Sequence, residues 1–149
     1  MAKIVEGAAA PDFELESAAG PIRSSDFKGK TLVLYFYPKD DTTGCTNEAK
    51  DFSALAPRFA KAGARVVGVS KDSLKSHEKF AAKYGLAIPL GSDPEGKVVE
   101  AFESWVQKNL YGSEYLGIDR STCLSQNGVI KKIWRKVKVA GHAQAVLDA

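Results

Sequence analysis

The sequence predicts an α/β fold with a mixed central sheet flanked by helices, and three observations support this prediction. Residues 31–37, TLVLYFY, and residues 64–70, ARVVGVS, are continuous β-branched and aromatic runs, typical of strands buried on both faces. Towards the C-terminus, two strand-like runs flank an Asn-Gly pair, the strongest short-range hairpin signal. With 149 residues, 44% of them apolar, we expect a single domain spanning 1–149.

The first two runs belong to a βαβ unit from Thr31 to Ser70. Gly63 ends a helical stripe between them, formed by Phe52, Leu55 and Phe59. Pro57 lies inside this helix and should kink it without abolishing it, because the apolar stripe continues beyond. Residues before the first strand indicate an added N-terminal β-hairpin that turns at residues 19–21.

The remaining elements follow from capping signals and turn residues. Ser73 as N-cap and Gly85 as C-terminal stop bracket a helix over Leu74–Tyr84. A short helix is expected over 98–102, before the Asn-Gly hairpin, and a last helix over 142–147. Two parallel strands with a helical crossover, a helix, an antiparallel hairpin and a terminal helix together have the element order of a thioredoxin-like fold.

Composition and charge argue against several classes of function. No apolar run is long enough to cross a bilayer, and MAKIVEG is too short for a secretory signal, so we expect a cytoplasmic protein without membrane contact. The net charge is only +3, and the lysines of VIKKIWRKVKV alternate with apolar residues as on an exposed edge strand, which disfavours nucleic-acid binding. Without GxxxxGK, GxGxxG or clustered cysteines and histidines, neither a cofactor nor a metal is expected.

The segment from Tyr37 to Lys50, YPKDDTTGCTNEAK, carries the strongest chemical signal. It joins the C-terminal end of a central strand to a helix, which is where ligands bind in open α/β sheets. Cys45 falls in the first turn of that helix, whose free N–H groups and positive dipole end favour a thiolate. Gly44 allows close approach of the backbone, and two threonines offer hydroxyl groups.

A lone activated cysteine still permits several interpretations. A dithiol oxidoreductase would need a second cysteine at the position of Glu48, or else the participation of Cys123. A thioredoxin-like binding or chaperone module, in which Cys45 is an inert buried residue, is a further alternative. A single thiolate without an adjacent partner favours attack on an electrophile, with a sulfenic acid as the first product.

The residues around Cys45 resemble those of a known family. Pro38, Thr42 and Cys45 match the P-x-x-x-T-x-x-C motif of peroxiredoxins, and YPKDDTTGCTNEA resembles the peroxiredoxin Q group, also called bacterioferritin comigratory protein. The similarity runs nearly end to end, through APDFEL, FKGK, GVSKDS, YGLAIPLGSD, DRST and IWRKVKVAGH. The resemblance implies a thiol peroxidase that reduces hydrogen peroxide and organic hydroperoxides in antioxidant defence.

The resemblance also implies roles for individual residues. Cys45 would be the peroxidatic nucleophile, Thr42 would orient the peroxide, and Pro38 would shield the sulfenic acid from water. Arg120 matches the active-site arginine, whose fixed charge would hold the thiolate and stabilise charge developing on the peroxide oxygens. The supporting residues of this site would be Tyr37, Gly44 and Glu48.

The chain departs from this group where a second cysteine is expected. Many members carry a resolving cysteine five residues after the nucleophile, where this chain has Lys50. If Arg120 faces the site, strand alternation sends Thr122 to the same side and Cys123 to the other. We therefore expect a single-cysteine mechanism, with an external thiol as reductant, from thioredoxin or from glutathione with glutaredoxin. The resemblance favours a monomer or weak homodimer.

Several polar and aromatic residues are expected to lie outside the chemistry. Asp40 and Asp41 are interpreted as solvated or capping residues, and His77 as an exposed residue on a helix face. His142 is interpreted as a helix-start residue, and Trp134 as a packing residue.

Overall fold

The computed structural model describes residues 4–110 and 112–149, and its central feature is a five-stranded mixed sheet in the order β5-β4-β3-β8-β9. Strand β3 pairs in parallel with β4 and antiparallel with β8. The described elements are β1 Glu14–Leu15, β2 Ile22–Arg23, β3 Thr31–Phe36, α1 Thr43–Lys61, β4 Ala64–Ser70, α2 Leu74–Tyr84, β5 Leu90–Ser92, α3 Lys97–Ala101, β6 Trp105–Leu110, β7 Ser113–Ile118, β8 Ser121–Gln126, β9 Val129–Trp134 and α4 His142–Asp148.

The central sheet separates two apolar clusters, because successive side chains of a strand point to opposite faces. Val33 and Tyr35 of β3 join the cluster that contains Cys45 and side chains of α1, α2 and α4. Leu32 and Leu34 join the other cluster, with Cys123 and residues of α3. Every residue of β3 after Thr31 is buried, which confirms the prediction of a strand covered on both faces.

The βαβ unit and the later helices lie where the sequence predicts them. Helix α1 continues through Pro57, and the second helix spans Leu74–Tyr84 as predicted. Ser73 Oγ accepts the Ser76 N–H at the start of α2, and Gly85 ends the helix with a φ of 60°. These caps satisfy orphan backbone groups at both helix ends.

The C-terminal hairpin supplies the edge strand β9. Its turn has positive φ at both central residues, 48° at Asn127 and 80° at Gly128, as a type I′ turn requires. Because β9 pairs only with β8 within the central sheet, Lys131 and Lys132 lie on an edge strand, which confirms the interpretation for this part of VIKKIWRKVKV.

Three elements were absent from the prediction. The short strand β5 and a 3-10 helix over Ser24–Phe27 carry too few residues for a periodic signal. The hairpin of β6 and β7 forms a separate two-stranded sheet, and Tyr115 and Leu116 are both exposed on it. Since neither face of this part of the ribbon is covered, its sequence lacks the apolar alternation by which strands are recognised. The N-terminal hairpin of β1 and β2 is present as predicted.

None of the described helices combines the length and apolar character that a membrane span requires.

We predict that Gly68→Ala destabilises the fold, because a Cβ at Gly68 would lie 2.7 Å from the Tyr35 ring. Tyr35 is fully buried and stacked on Phe52 with ring centroids 4.6 Å apart, so the ring has little room to move. Overpacking of this kind costs about 1–3 kcal/mol, measurable by urea unfolding.

Gly117→Ala is the matched control, because it adds the same methyl group to a strand with only ordinary contacts, at 3.4 Å or more. Equal stability of the two variants would contradict the packing described around Gly68.

Candidate active site

The candidate site lies at the edge of the sheet where β3 ends. The chain leaves β3 at Phe36, crosses a loop and enters α1, in which Cys45 is the third residue. Phe36 pairs with Ser121, so the residue before β8, Arg120, reaches the same edge. Two segments distant in sequence are therefore brought together by the register of β3 and β8.

Arg120 contacts both Cys45 and Glu48 through separate nitrogens of its guanidinium group. Nη2 donates to Cys45 Sγ at 3.3 Å, and Nη1 donates to Glu48 Oε1 at 2.8 Å. Cys45 and Glu48 are three residues apart on α1 and thus share one helix face. All three predicted residues meet here, and the guanidinium places a permanent positive charge against the Cys45 sulfur.

Glu48 is a nearly fully buried carboxyl group. Burial raises its pKa to about 7, although the charge and the hydrogen bond of Arg120 act in the opposite direction. Its Oε2 accepts no hydrogen bond from the described residues, which accounts for the large cost of ionising it. Conversely, Glu48 and Cys45 together raise the pKa of Arg120 against the effect of burial, so the guanidinium stays charged.

Gly44 lies close to the guanidinium of Arg120. A Cβ at this position would lie 3.1 Å from Nη2 of Arg120, the nitrogen that contacts Cys45. A larger residue would therefore require the guanidinium to shift by a few tenths of an ångström. This contact gives a physical reason for the close backbone approach inferred from the sequence.

The loop before α1 carries Pro38 and Thr42, both exposed. Thr42 occupies the N-cap position of α1, but its hydroxyl donates to the Lys39 carbonyl at 2.9 Å and makes no side-chain cap. The Thr42 carbonyl accepts the first helical hydrogen bond, from Thr46 N–H at 2.8 Å. The Thr42 hydroxyl is thus oriented by the loop backbone.

Asp40 and His77 correct the sequence interpretation, since both are buried rather than solvent-exposed. Asp40 Oδ2 lies 2.7 Å from His77 Nδ1, and Asp40 Oδ1 accepts the Tyr37 hydroxyl at 2.6 Å. Tyr37, predicted to support the site, therefore acts on Asp40 in this structure. Burial raises the pKa of Asp40, but hydrogen bonds from His77, Tyr37 and Ser76 outweigh it and hold the pKa below its usual value.

A sequence signal for this cluster existed. Because β3 and β4 are parallel, the segments that follow them meet at one edge of the sheet. Asp40 follows β3, and Asp72 follows β4 just before the Ser73 cap of α2, so their proximity could have been inferred.

Asp41 remains exposed, in agreement with the sequence interpretation, and is held in place from α2. Its carboxylate accepts from Lys83 Nζ at 2.8 Å and from the Tyr84 hydroxyl at 2.5 Å. Asp41 has a φ of 58°, a left-handed conformation that is uncommon outside glycine. The two hydrogen bonds thus hold an unusual backbone conformation in the loop.

Cys123 lies on the opposite face of the sheet from Cys45, as strand alternation predicts. Both cysteines are free and buried. Burial raises the pKa of Cys123 to about 12, against a smaller opposing effect of Arg135. Cys123 is therefore a protonated, unreactive thiol at neutral pH.

His142 begins α4, as the sequence predicts, and packs edge-on against the rings of Phe52 and Trp134. Its Nε2 lies 2.7 Å from the Thr122 hydroxyl, on the face of the sheet that carries Cys45. Burial, followed by the charge of Arg120, lowers the pKa of His142 to about 4. The ring is thus neutral at neutral pH.

Among the described residues, one group has metal-ligating atoms close enough to share an ion: Asp40, Asp72 and His77, within 4.8 Å of one another. Their facing atoms already form hydrogen bonds with protein groups, including Ser76 to Asp40 and Ser70 to Asp72. We therefore describe this group as a hydrogen-bond network.

Comparison with known proteins agrees with the geometry of the site. Residues 7–133 match the sequence profile of the AhpC/TSA family. The chain belongs to this family, in its peroxiredoxin Bcp/Q group. Peroxiredoxin Bcp of Xanthomonas campestris is 57% identical over 122 residues, which are 81% of this chain and 76% of the relative.

Solved structures of the group confirm the thioredoxin-like fold. A cysteine-to-serine mutant of Xylella fastidiosa peroxiredoxin Q superposes with a TM-score of 0.93 at 39% identity, covering 99% of this chain and 96% of the other. The bacterioferritin comigratory protein of Xanthomonas campestris superposes with a TM-score of 0.87 at 50% identity, covering 91% and 88%.

We predict that iodoacetamide at neutral pH alkylates Cys45 and spares Cys123 in the folded protein. The raised pKa of Cys123, about 12, leaves almost no thiolate there. Mass spectrometry of peptides labelled with and without denaturant measures both sites. Labelling of Cys123 at a rate similar to Cys45 without denaturant would contradict the raised pKa of Cys123.

We also predict that Glu48 makes stability depend on pH. Its pKa rises from 4.5 to about 7 on folding, so its stabilising contribution is complete below about pH 4.5 and is lost as pH rises through about 7. Relative to Glu48→Gln, which does not titrate, the wild type should lose roughly 3 kcal/mol of unfolding free energy across this interval. Urea unfolding at several pH values measures the difference, and parallel curves would contradict the raised pKa.

Proposed function

We propose that this peroxiredoxin reduces hydrogen peroxide and organic hydroperoxides through a sulfenic acid at Cys45. The observation that carries the proposal is the double contact of Arg120, which donates to Cys45 Sγ at 3.3 Å and to Glu48 at 2.8 Å. The family is one of thiol-dependent peroxidases, and this chain offers one thiol in contact with a fixed positive charge.

The first step is nucleophilic displacement at the peroxide oxygen. The Cys45 thiolate forms an S–O bond while the O–O bond breaks, and the departing oxygen takes a proton to leave as water or an alcohol. Sulfur is oxidised to the sulfenic acid and the peroxide is reduced. The charge that develops on the peroxide oxygens lies within reach of the Arg120 guanidinium, which lowers the barrier electrostatically.

Thr42 and Pro38 complete the proposed site. With its hydrogen donated to the Lys39 carbonyl, the Thr42 hydroxyl presents its lone pairs and can accept a hydrogen bond from the peroxide. Pro38 carries no N–H donor and offers an apolar surface at the entrance, which limits access of water to the sulfenic acid.

Regeneration is proposed to use an external thiol. Cys123 is separated from Cys45 by the central sheet, and Lys50 occupies the position of the resolving cysteine of many relatives. An incoming thiol would form a mixed disulfide with Cys45 and release water. A second donor thiol would then attack the donor sulfur of this bond, which forms a disulfide between the two donor thiols and releases Cys45 in its reduced form. Thioredoxin and the glutathione/glutaredoxin pair are the two candidate donors.

The substrate range is proposed by analogy with the relatives. The Xanthomonas campestris bacterioferritin comigratory protein is described by its alkyl peroxide reduction activity. We extend this range to the present chain because the two folds superpose over 91% of it. We further propose a cytoplasmic protein, acting as a single domain and as a monomer or weak homodimer.

The proposal predicts that Cys45→Ser abolishes consumption of hydrogen peroxide, whereas Cys123→Ser retains it. Cys45 lies at the guanidinium and Cys123 lies across the sheet, so only the first substitution removes the nucleophile. An assay with dithiothreitol as reductant measures both variants. Activity that survives Cys45→Ser would refute the assignment.

Peptide mapping after one equivalent of peroxide tests the single-cysteine mechanism. We expect a dimedone adduct at Cys45 and no intramolecular disulfide. A Cys45–Cys123 disulfide as the main product would overturn it. NADPH-coupled assays with thioredoxin or with glutaredoxin and glutathione then identify the donor.

A further inference from the structure

The network around His77 lies directly beneath the active-site loop but touches neither Cys45 nor Arg120 in any described hydrogen bond. Its central contact joins Asp40 Oδ2 to His77 Nδ1 at 2.7 Å. Ser76, on the first turn of α2, donates to the same oxygen at 2.8 Å. Tyr37 donates to Oδ1 at 2.6 Å. The Asp40 side chain is thus fixed by three donors, two of them from α2.

Both ring nitrogens of His77 face hydrogen-bond acceptors. Nδ1 faces the Asp40 carboxylate, and Nε2 lies 3.1 Å from the Gly91 carbonyl oxygen. Both partners are acceptors, so each contact is a hydrogen bond when the nitrogen that makes it carries a proton. The ring is only 2% exposed and lies beside the Asp40 carboxylate. Removing one partner of a buried hydrogen-bonded pair leaves the other unsatisfied, so loss of this contact is costly.

The backbone of Asp40 transmits this fixed position to the loop. Asp40 N–H donates to Asp72 Oδ2 at 2.8 Å, so the residue is held by its side chain and its main chain. The preceding carbonyl, of Lys39, is the group that orients the Thr42 hydroxyl. The Thr42 carbonyl oxygen in turn accepts the first hydrogen bond of α1, from Thr46 N–H, and Cys45 lies three residues after Thr42.

We propose that His77 is a positioning residue of the peroxidase reaction, which acts through Asp40 to hold the loop that presents Thr42 and Cys45. The proposal rests on the function proposed above for Cys45. His77 contacts neither the nucleophile nor the site of the peroxide. Its effect is to keep the Thr42 hydroxyl and the start of α1 in register with Arg120.

Two conservative substitutions separate the positioning role from simple stability. The Asn amide nitrogen can occupy the place of Nδ1, so His77→Asn keeps a donor towards Asp40 and loses the one towards Gly91. The Gln amide nitrogen can occupy the place of Nε2, so His77→Gln keeps the bond to Gly91 and loses the one to Asp40. Both variants remove the buried imidazole ring.

The measurement is the second-order rate constant for oxidation of Cys45 by hydrogen peroxide, beside the alkylation rate of Cys45 as a function of pH. We expect His77→Gln to lower the peroxide rate roughly tenfold to hundredfold, because small displacements of reacting groups have effects of this size. We also expect its alkylation profile to move to higher pH. His77→Asn should retain the rate within about threefold, and its alkylation profile should not move.

A control and a milder variant keep the test decisive. Ile130→Val removes a methylene group from the opposite face of the sheet, and should lower the melting temperature without moving either Cys45 readout. If His77→Gln does not fold, Ser76→Ala removes one donor to Asp40 and should slow the peroxide reaction in the same direction.

Equal peroxide rates in His77→Gln and His77→Asn would overturn the positioning role. If Ser76→Ala has to be used instead, a peroxide rate equal to that of the wild type would overturn it. Wild-type protein that fails to react with peroxide would instead overturn the proposed function, which keeps the two failures distinct.

Discussion

The contact between Arg120 and Cys45 is the interaction on which the rest of the site depends. It joins a residue before β8 to the first turn of α1, and it exists only because β3 and β8 pair in the observed register. Glu48 accepts a hydrogen bond from the other terminal nitrogen of the guanidinium, which keeps the group oriented towards the sulfur. The Glu48 carboxyl group orients Arg120, but ionising it in a buried position is unfavourable, and its pKa is therefore raised to about 7.

The central sheet does two things for this contact. At its edge, the loops that follow the parallel strands β3 and β4 lie side by side. Side chains of α2 therefore hydrogen-bond to Asp40 and Asp41 in the active-site loop. Through its thickness, it separates Cys45 from Cys123, whose pKa of about 12 leaves it protonated. The two buried thiols thus lie on opposite faces of one sheet, and of the two it is Cys45 that contacts Arg120.

Much of this could be predicted from sequence, because local signals and tertiary structure agree in the βαβ unit and in α2. The meeting of Cys45 and Arg120 was predicted through the family resemblance, but the partner of the Thr42 hydroxyl was not. His77 and Asp40 were misjudged because charged neighbours in sequence indicate exposure, whereas their burial depends on loops that only the folded sheet brings together. The ribbon of β6 and β7 escaped prediction because only its base, at Trp105 and Ile118, packs on the core, whereas Tyr115 and Leu116 are exposed.

The most direct test of the account is the rate of Cys45 oxidation by hydrogen peroxide in wild type and in Arg120→Lys, measured by stopped-flow. It should be made above the pH at which alkylation of Cys45 stops increasing, so that both proteins hold the same amount of thiolate. Lysine keeps the charge but cannot reach Cys45 and Glu48 together, and we expect a loss of roughly a hundredfold or more. An unchanged rate would contradict the central role of Arg120.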